Sequence, residues 1–447
     1  MSGAPFASAL YQGFWHDPRT GTLFTDSAEI RAMLLVWGAL AEVQSEEGLI
    51  PDLAGPAIRR AAMEAAIDPG ALSAQTARNG VVVPGLLEAF RAAIPGPEHR
   101  PFVHWGATSQ DIMETGLVLR LRRALDLWEE RLAAILETLG ALARDHAETP
   151  MAGRTYGQLA APTSFGAVAA EWGRPLLRHL DRLEEMRPRL LVVSLSGAAG
   201  TLSMMGAQGP RVRAGLAARL GLGDPEASWH AERDRIAELA TWIAAVAGSL
   251  GKIGEDAGLL CQSGIEELSG GAAGASSTMP QKRNPVLPAQ LAALARHAAG
   301  LSGLLQEGLV HRQQRDGAAW FGEWLALPPL CMALGRATQI AEELCAGLAP
   351  DITAMRAPLE TPPGLIHAEA LSFALAARLP RPEAQQEIKR LCAEAAAQGT
   401  PLADLLERDH PGGDWTALTR PETQLGDAPR QARAFADHAA QRAAARG

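Results

Sequence analysis

The chain has 447 residues, of which 47% are hydrophobic and 20% are charged, a composition typical of a globular protein and not of a disordered, collagen-like or membrane chain. Its 41 lysine and arginine residues and 50 acidic residues give a net charge of -9, and the sequence has no long basic run, which argues against nucleic-acid binding. A chain of this length is expected to form two to four domains.

Two features bear on the cellular compartment. The first charged side chain is Asp17, so the N-terminus lacks the basic region with which secretory signals begin. The cysteines Cys261, Cys331, Cys345 and Cys392 share no Cys-x-x-Cys spacing, which predicts reduced thiols rather than a disulfide framework. We therefore expect a cytoplasmic protein.

Three segments in the middle of the chain carry the periodicity of long amphipathic helices. Apolar residues recur in steps of three or four over residues 117–142, again over 236–260, and a third time over 287–305. Because each apolar stripe must be buried, the three stripes predict helices packed nearly parallel in an elongated bundle. Pro175 and the pair Pro328–Pro329 interrupt otherwise helical segments and are expected to kink or break them.

The predicted fold class is all-α, since no strong alternating strand pattern and no fixed-period repeat is evident. We predict three domains: an N-terminal helical domain of residues 1–111, a central long-helix bundle of residues 112–355, and a C-terminal helical domain of residues 356–447. The Pro-rich stretch 357–364 supports the second boundary. The uncharged stretch 190–210 is rich in glycine and serine, so we interpret it as buried chain and expect no membrane span.

A glycine-rich loop, residues 269–285 with the sequence SGGAAGASSTMPQKRNP, is the most informative segment. It contains Lys282 and Asn284, although the whole chain has only three lysines and two asparagines. Because arginine supplies nearly all other positive charge, this pair indicates a requirement for a compact ammonium group beside a developing anion. The alternative interpretation is an ordinary solvated loop. No phosphate-binding loop, HExxH zinc helix or GxSxG elbow is found, so neither a metal nor a nucleotide cofactor is indicated.

Three segments resemble the signatures of the fumarase/aspartase superfamily: residues 104–111 (HWGATSQD), 153–166 (GRTYGQLAAPTSFG) and 276–285 (SSTMPQKRNP). The resemblance covers nearly the whole chain. It implies an all-α subunit of three domains and a homotetramer in which each active site draws on three subunits. Residues 229–235 (WHAERDR) and 322–328 (GEWLALP) are most similar to the cycloisomerase branch, whose members interconvert a carboxymuconate and its lactone.

The resemblance also implies roles for individual residues. Reactions of this family move a proton beside a carboxylate through a doubly charged aci-carboxylate, which requires concentrated positive charge. Lys282 and Asn284 are expected to stabilise that charge, and Ser276 is expected to be the general base. The predicted substrate-binding residues are His104, Thr108, Ser109, Gln110, Arg154, Thr155, Gln158, His230, Ser277, Met279 and Arg315. The expected ligand is a small polycarboxylate, with no cofactor and no metal ion.

Tyr156 departs from the superfamily pattern, because many family lyases have histidine at this place and cycloisomerases commonly have tryptophan. We predict that Tyr156 is catalytic, since a phenol can donate a hydrogen bond or act as an acid, and the equal alternative is that it only shapes the pocket. Arg315 is either a bidentate clamp on a carboxylate or an ordinary ion-pair arginine. Glu114 stands where the family more often has aspartate.

Three functions are compatible with the sequence. The favoured one is a cofactor-free cycloisomerase. The alternative is a carbon–nitrogen lyase that eliminates an amine from an aspartate-like adduct and releases fumarate. The third is a catalytically silent relative, which would have little reason to retain Ser276, Lys282 and Asn284 together.

Overall fold

The structure is a computed structural model that describes residues 5–270, 274–275 and 278–444. The helices are α1 (Gln12–Trp15), α2 (Pro18–Gly21), α3 (Asp26–Glu46), α4 (Ala54–Glu64), α5 (Pro69–Asn79), α6 (Val83–Ala93), α7 (Ser109–Asp145), α8 (Phe165–Leu190), α9 (Gly209–Leu220), α10 (Asp234–Leu260), α11 (Val286–Glu307), α12 (Gly317–Ala346), α13 (Ile352–Glu360), α14 (Ala368–Leu375), α15 (Arg381–Gln398), α16 (Leu402–Asp409), α17 (Trp415–Leu418) and α18 (Ala428–Ala444). The strands are β1 (Pro150–Thr155), β2 (Gln158–Ser164), β3 (Leu268–Gly270), β4 (Gly274–Ala275), β5 (Arg283–Asn284) and β6 (Leu348–Pro350).

Helices α7, α10 and α11 confirm the three helices predicted from periodicity. They extend the predicted segments by only a few residues at most ends, and α7 is the longest at 37 residues. Their stripes are buried, as in Leu125 and Trp128 of α7 and Ile243 and Leu250 of α10, because a 3.6-residue repeat places these side chains on one face. With only short, two-stranded sheets in the described residues, the all-α fold class is confirmed.

The prolines do not break the helices that contain them, and the kink that was the other predicted outcome stays a prediction. Helix α8 continues through Pro175, and α12 continues through Pro328–Pro329. A proline removes one backbone donor from a helix, but Trp172 and Leu176 of α8 and Leu330 of α12 are buried. Tertiary packing of such side chains stabilises most helices in proteins and overrides the local cost.

The hairpin of β1 and β2 was not predicted. The two strands pair antiparallel from Pro150 and Ser164 to Thr155 and Gln158, and the two turn residues 156 and 157 both have positive φ, as a type I′ turn requires. Burial decreases from the base of the hairpin to its exposed tip along β1, and alternation is confined to the last four residues of β2. The period of two expected of a half-buried strand is therefore too short to be recognised in the sequence.

The chain divides into two compact units. The first comprises Met1–Glu130, His179–Gly248 and Ala293–Gln339. The second comprises Arg131–Arg178, Ser249–Ala292 and Ile340–Gly447. A core around stacked Trp37 and Phe90 lies in the first unit, and a core around Leu391 and Trp415 lies in the second. The division into three domains stays a prediction.

Helix α10 is, among the described residues, the one helix whose length and composition would allow it to cross a membrane. However, 61% of its most apolar window is already buried inside the protein, which favours a core helix. The four cysteines are free thiols, and Cys331 and Cys345 are buried.

Candidate active site

Asp111 is a buried carboxylate that organises the start of α7 in the first unit. Its Oδ2 accepts hydrogen bonds from the backbone N–H of Thr108 at 2.9 Å and of Gly197 at 3.0 Å. Its Oδ1 accepts from the N–H of Ser196 at 2.8 Å and lies 2.8 Å from Nε2 of His230. Since a buried charge is costly unless its hydrogen bonds are satisfied, Asp111 fixes the loop before α7, the 196–197 segment and His230 in one arrangement.

Gln110 joins Arg315 to this group. The side chain of Gln110 is completely buried, and its Oε1 accepts a hydrogen bond of 2.7 Å from Nε of Arg315. Its Nε2 donates to the backbone oxygen of His230 at 3.0 Å and to Oε1 of Glu114 at 2.8 Å. Nη2 of Arg315 also lies 3.4 Å from Oγ1 of Thr108. The structure therefore brings together four of the predicted binding residues, with Ser109 adjacent to them in the chain.

A buried group of three charges adjoins Gln110. Nη1 of Arg233 lies 2.8 Å from Oε1 of Glu114, and its Nε and Nη2 donate to the two oxygens of Glu323 at 2.8 and 2.6 Å. Burial raises the pKa of Glu114, an effect that Arg233 opposes. Burial acts to lower the pKa of Arg233, but Glu114 and Glu323 outweigh it and raise that pKa above its ordinary value. The guanidinium of Arg233 therefore lies between the buried carboxyl groups of Glu114 and Glu323 and is hydrogen-bonded to both.

His104 is held in one tautomer on the loop before α7. Nε1 of Trp37 donates a hydrogen bond of 3.0 Å to Nδ1 of His104, and because an indole nitrogen can only donate, Nδ1 carries no proton. Burial lowers the pKa of His104 to about 4, Asp111 opposes this, and Arg91 acts in the same direction as burial. At neutral pH the ring is therefore uncharged, with its proton on Nε2, where it can donate to a substrate oxygen.

We expect the substitution His104→Asn to make the protein less sensitive to acid. The pKa of His104 is about 4 in the folded state, against 6.5 as its ordinary value, so between these values the unfolded state binds the proton more tightly. The free energy of unfolding then falls as pH drops through this window, by about 2.5 kcal/mol at pH 4.5 for this one group. Asparagine tolerates the positive φ of 71° at this position and can accept the indole hydrogen bond.

Urea unfolding at pH 7.5 and at pH 4.5, at one protein concentration, measures the difference. The wild-type protein should lose more stability than the variant over this range. An equal loss in both proteins would show that His104 is not the group that titrates.

In the second unit, Arg154 of β1 is held by a buried carboxylate. Its two terminal nitrogens donate to the two oxygens of Glu267 at 2.7 and 2.8 Å, and Glu267 is fully buried. This bidentate pair fixes one strand of the hairpin. The other predicted residues of the hairpin, Thr155, Tyr156 and Gln158, are exposed at its tip in the single subunit.

The signature loop also belongs to the second unit. Ser276 and Ser277 lie outside the described residues. Strands β4 and β5 pair with each other, which holds Asn284 in an extended segment. Lys282 and Met279 are exposed, and the N–H of Lys282 donates to the carbonyl of Met279 at 3.1 Å. The roles of these loop residues stay predictions.

No role was predicted for Asp111, Arg233, Glu267 or Glu323, and Glu114 was predicted only as a departure from the family pattern. Among the described residues, no group of three or more histidines, cysteines and carboxylates is arranged to hold a metal ion. Asp111, Arg233, Glu267 and Glu323 are each hydrogen-bonded to charged or backbone amide groups and fix the side chains around them, whereas Oε2 of Glu114 is buried without a hydrogen-bond partner among the described residues.

Comparison with known proteins shows similarity along nearly the whole chain. Residues 61–300 match the model of a family described as lyase. The 3-carboxy-cis,cis-muconate cycloisomerase of Pseudomonas aeruginosa is 39% identical over 98% of this chain and 97% of its own length. The N-acetyl-S-(2-succino)cysteine lyase of Enterococcus italicus is 33% identical over 86% of this chain and 85% of its own length. The crystal structure of 3-carboxy-cis,cis-muconate lactonizing enzyme from Pseudomonas putida has a TM-score of 0.91 and 36% identity, covering 97% of this chain and 99% of that one.

Proposed function

The chain belongs to the fumarase/aspartase superfamily, and on this premise we propose that it is a cycloisomerase that interconverts 3-carboxy-cis,cis-muconate and a carboxymuconolactone. The observation that carries the proposal is similarity over nearly the full length to cycloisomerases, at a higher identity than to the succinocysteine lyase. The reaction is a step in the degradation of aromatic acids, takes place in the cytoplasm and needs no cofactor.

The reaction is an isomerisation in which one carbon–oxygen bond forms and one proton is added. A carboxylate oxygen of the substrate attacks one carbon of a double bond, and negative charge develops on the neighbouring carbon and its carboxylate. Lys282 and Asn284 stabilise this aci-carboxylate, and Ser276 supplies the proton. In the reverse direction Ser276 removes that proton as a general base, and the carbon–oxygen bond then breaks.

The polar side chains around the start of α7, in the first unit, are suited to binding the carboxylates of such a substrate. Arg315 provides a planar charged fork, Thr108 provides a hydroxyl, and His104 provides a neutral N–H donor. The net charge of the protein opposes a tricarboxylate, so binding depends on local donors of this kind.

Turnover of a substrate panel, monitored by ultraviolet absorption, tests the proposal. The panel contains 3-carboxy-cis,cis-muconate, argininosuccinate, adenylosuccinate and other aspartate adducts. Loss of the conjugated diene without fumarate formation is the expected result. Release of fumarate from an adduct, with no reaction of the muconate, would overturn the cycloisomerase in favour of the lyase.

We also expect a homotetramer with sites shared between subunits. Large apolar side chains are exposed on the long helices of the first unit, including Leu304 of α11 and Phe321 and Leu325 of α12, and Leu325 is 79% exposed. Such surfaces usually mark interfaces. The predicted site residues at the tip of the hairpin are likewise exposed in the single subunit, as residues that complete a partner's site must be.

Light scattering should give a mass of about 190 kDa, four copies of the 47.1-kDa chain. The substitution Leu325→Glu should lower this mass and abolish activity together, because a charge in an apolar interface disfavours association. An active monomer would contradict both the tetramer and the shared site.

A further inference from the structure

We propose that the buried residues Glu323, Arg233, Glu114 and Gln110 form a hydrogen-bonded relay that positions Arg315 to bind a substrate carboxylate. The relay residues do not touch the substrate and act only through Arg315. The inference rests on the proposed function in one respect, the assignment of Arg315 to substrate binding.

The orientation of Gln110 is fixed by its surroundings. Both of its N–H groups face acceptors, the carboxylate of Glu114 and the backbone oxygen of His230. The amide oxygen must therefore be the atom that faces Arg315, whose Nε donates to it at 2.7 Å. Because Gln110 is completely buried, its side chain does not contact the substrate and can act only through its neighbours.

Arg315 is left with one open side. Its Nε and Nη2 are directed to Gln110 and to Oγ1 of Thr108. Within the described residues Nη1 of Arg315 has no hydrogen-bond partner. The two terminal nitrogens can therefore meet a carboxylate end-on while the Nε side is held by the protein, which is the bidentate geometry that arginine forms with carboxylates.

The rest of the relay keeps Gln110 in place. Oε1 of Glu114 accepts from both Gln110 and Arg233 at 2.8 Å, so this oxygen holds the amide N–H that orients Gln110. Arg233 is held in turn by Glu323 through two hydrogen bonds and lies over the Trp229 ring at 5.1 Å. Each member is buried and is fixed by the next, as a network needs for precise positioning.

A double-mutant cycle in the full-length protein tests this inference. Gln110→Met removes the acceptor for Arg315 with little change in volume and should raise KM about 10- to 100-fold while kcat changes little. Arg315→Met should raise KM at least as much. If Gln110 acts only through Arg315, adding Gln110→Met to Arg315→Met should raise KM no further.

Gln306→Met is the matched control, because Gln306 makes two comparable hydrogen bonds in the same unit, to Ala237 and Thr241, and has no link to Arg315. It should leave KM unchanged. A KM effect of Gln110→Met that persists in full in the Arg315→Met background would overturn the relay, as would a loss of thermal stability with an unchanged KM.

Glu114→Gln tests the next link of the relay. The substitution weakens the oxygen that accepts from both Gln110 and Arg233, so it should raise KM, and adding it to Arg315→Met should raise KM no further. A KM effect of Glu114→Gln that persists in full in the Arg315→Met background would contradict the relay.

The two proposals fail in different ways. A wild-type protein that does not convert 3-carboxy-cis,cis-muconate but releases fumarate from an adduct overturns the proposed cycloisomerase, and the cycle is then measured with that adduct. The relay predicts the same coupling in KM for any carboxylate that Arg315 binds. An active wild-type protein with additive KM effects overturns the relay alone.

Discussion

Replacing Ser276 by alanine is expected to lower kcat by about 10²- to 10⁴-fold, the usual contribution of a general acid or base. KM should change little, because the serine hydroxyl moves a proton and contributes little to holding the substrate. Serine is intrinsically a poor base, so its role depends on donors that stabilise an alkoxide. The positive charge of Lys282, six residues further along the signature loop, is the nearest candidate in sequence.

Ser269→Ala is the matched control. Ser269 begins the same glycine-rich loop on β3, is exposed, and has a weak hydrogen bond of 3.4 Å to Ala349. Its replacement should leave kcat unchanged. Both variants are measured by diene absorbance and by uptake of deuterium into the lactone from heavy water, which reports proton transfer directly.

If Ser276→Ala retains near-normal turnover and deuterium uptake, the loop serine is not the proton donor. Tyr156 is then the first residue to replace, since it occupies the place where family lyases have histidine. The substitution Tyr156→Phe removes only the hydroxyl and so separates proton transfer from a role in shaping the pocket.

The long helices were predictable because burial imposes a repeat on the sequence. Stripes over 117–142, 236–260 and 287–305 give α7, α10 and α11 with ends displaced by at most eight residues. The β1–β2 hairpin has no such repeat, because its burial changes from base to tip. The prolines of α8 and α12 do not mark helix ends, since the packing that maintains these helices comes from residues distant in sequence.

The buried group of Glu114, Arg233 and Glu323 could have been found with the same periodicity. Glu114 lies one turn before the stripe of α7, and Arg233 lies one turn before that of α10. Glu323 falls within the stripe that runs from Trp320 to Leu327 on α12. A charged residue on a buried stripe needs a partner, and the three charges are complementary.

The pairing of Arg154 with Glu267 had no comparable signal. The two residues are 113 positions apart, and the hairpin that carries Arg154 has no repeating pattern. The sequence also did not indicate which motif residues are buried. The motif in residues 104–111 contains the completely buried Gln110 beside partly exposed Thr108 and Ser109.

Replacing Arg233 by methionine is expected to lower the free energy of unfolding by about 3–5 kcal/mol, the largest stability effect of any single substitution considered for this protein. The guanidinium side chain is only 1% exposed and compensates two buried carboxylates, Glu114 and Glu323. Removing one partner of a buried ion pair leaves an uncompensated charge in a medium of low polarity. Urea unfolding at a fixed protein concentration measures the loss.

Arg189→Met is the control, because Arg189 makes a bidentate pair with Glu238 on the surface of the same unit, where solvent screens the charges. The free energy of unfolding of Arg189→Met should be almost the same as that of the wild-type protein. A similarly small effect of Arg233→Met would show that the buried group of Glu114, Arg233 and Glu323 contributes little to the free energy of unfolding.

The pH dependence of Arg233→Met separates loss of charge compensation from simple loss of packing. Burial already raises the pKa of Glu114 in the folded protein, and the substitution removes the positive charge that opposes this rise. With its folded pKa further above the unfolded value, Glu114 binds protons more tightly in the native state, so the variant gains stability as pH falls. Its deficit relative to the wild-type protein should therefore shrink between pH 8 and pH 5. A deficit that is constant over this range would mean that the guanidinium contributes its packed volume and not its charge.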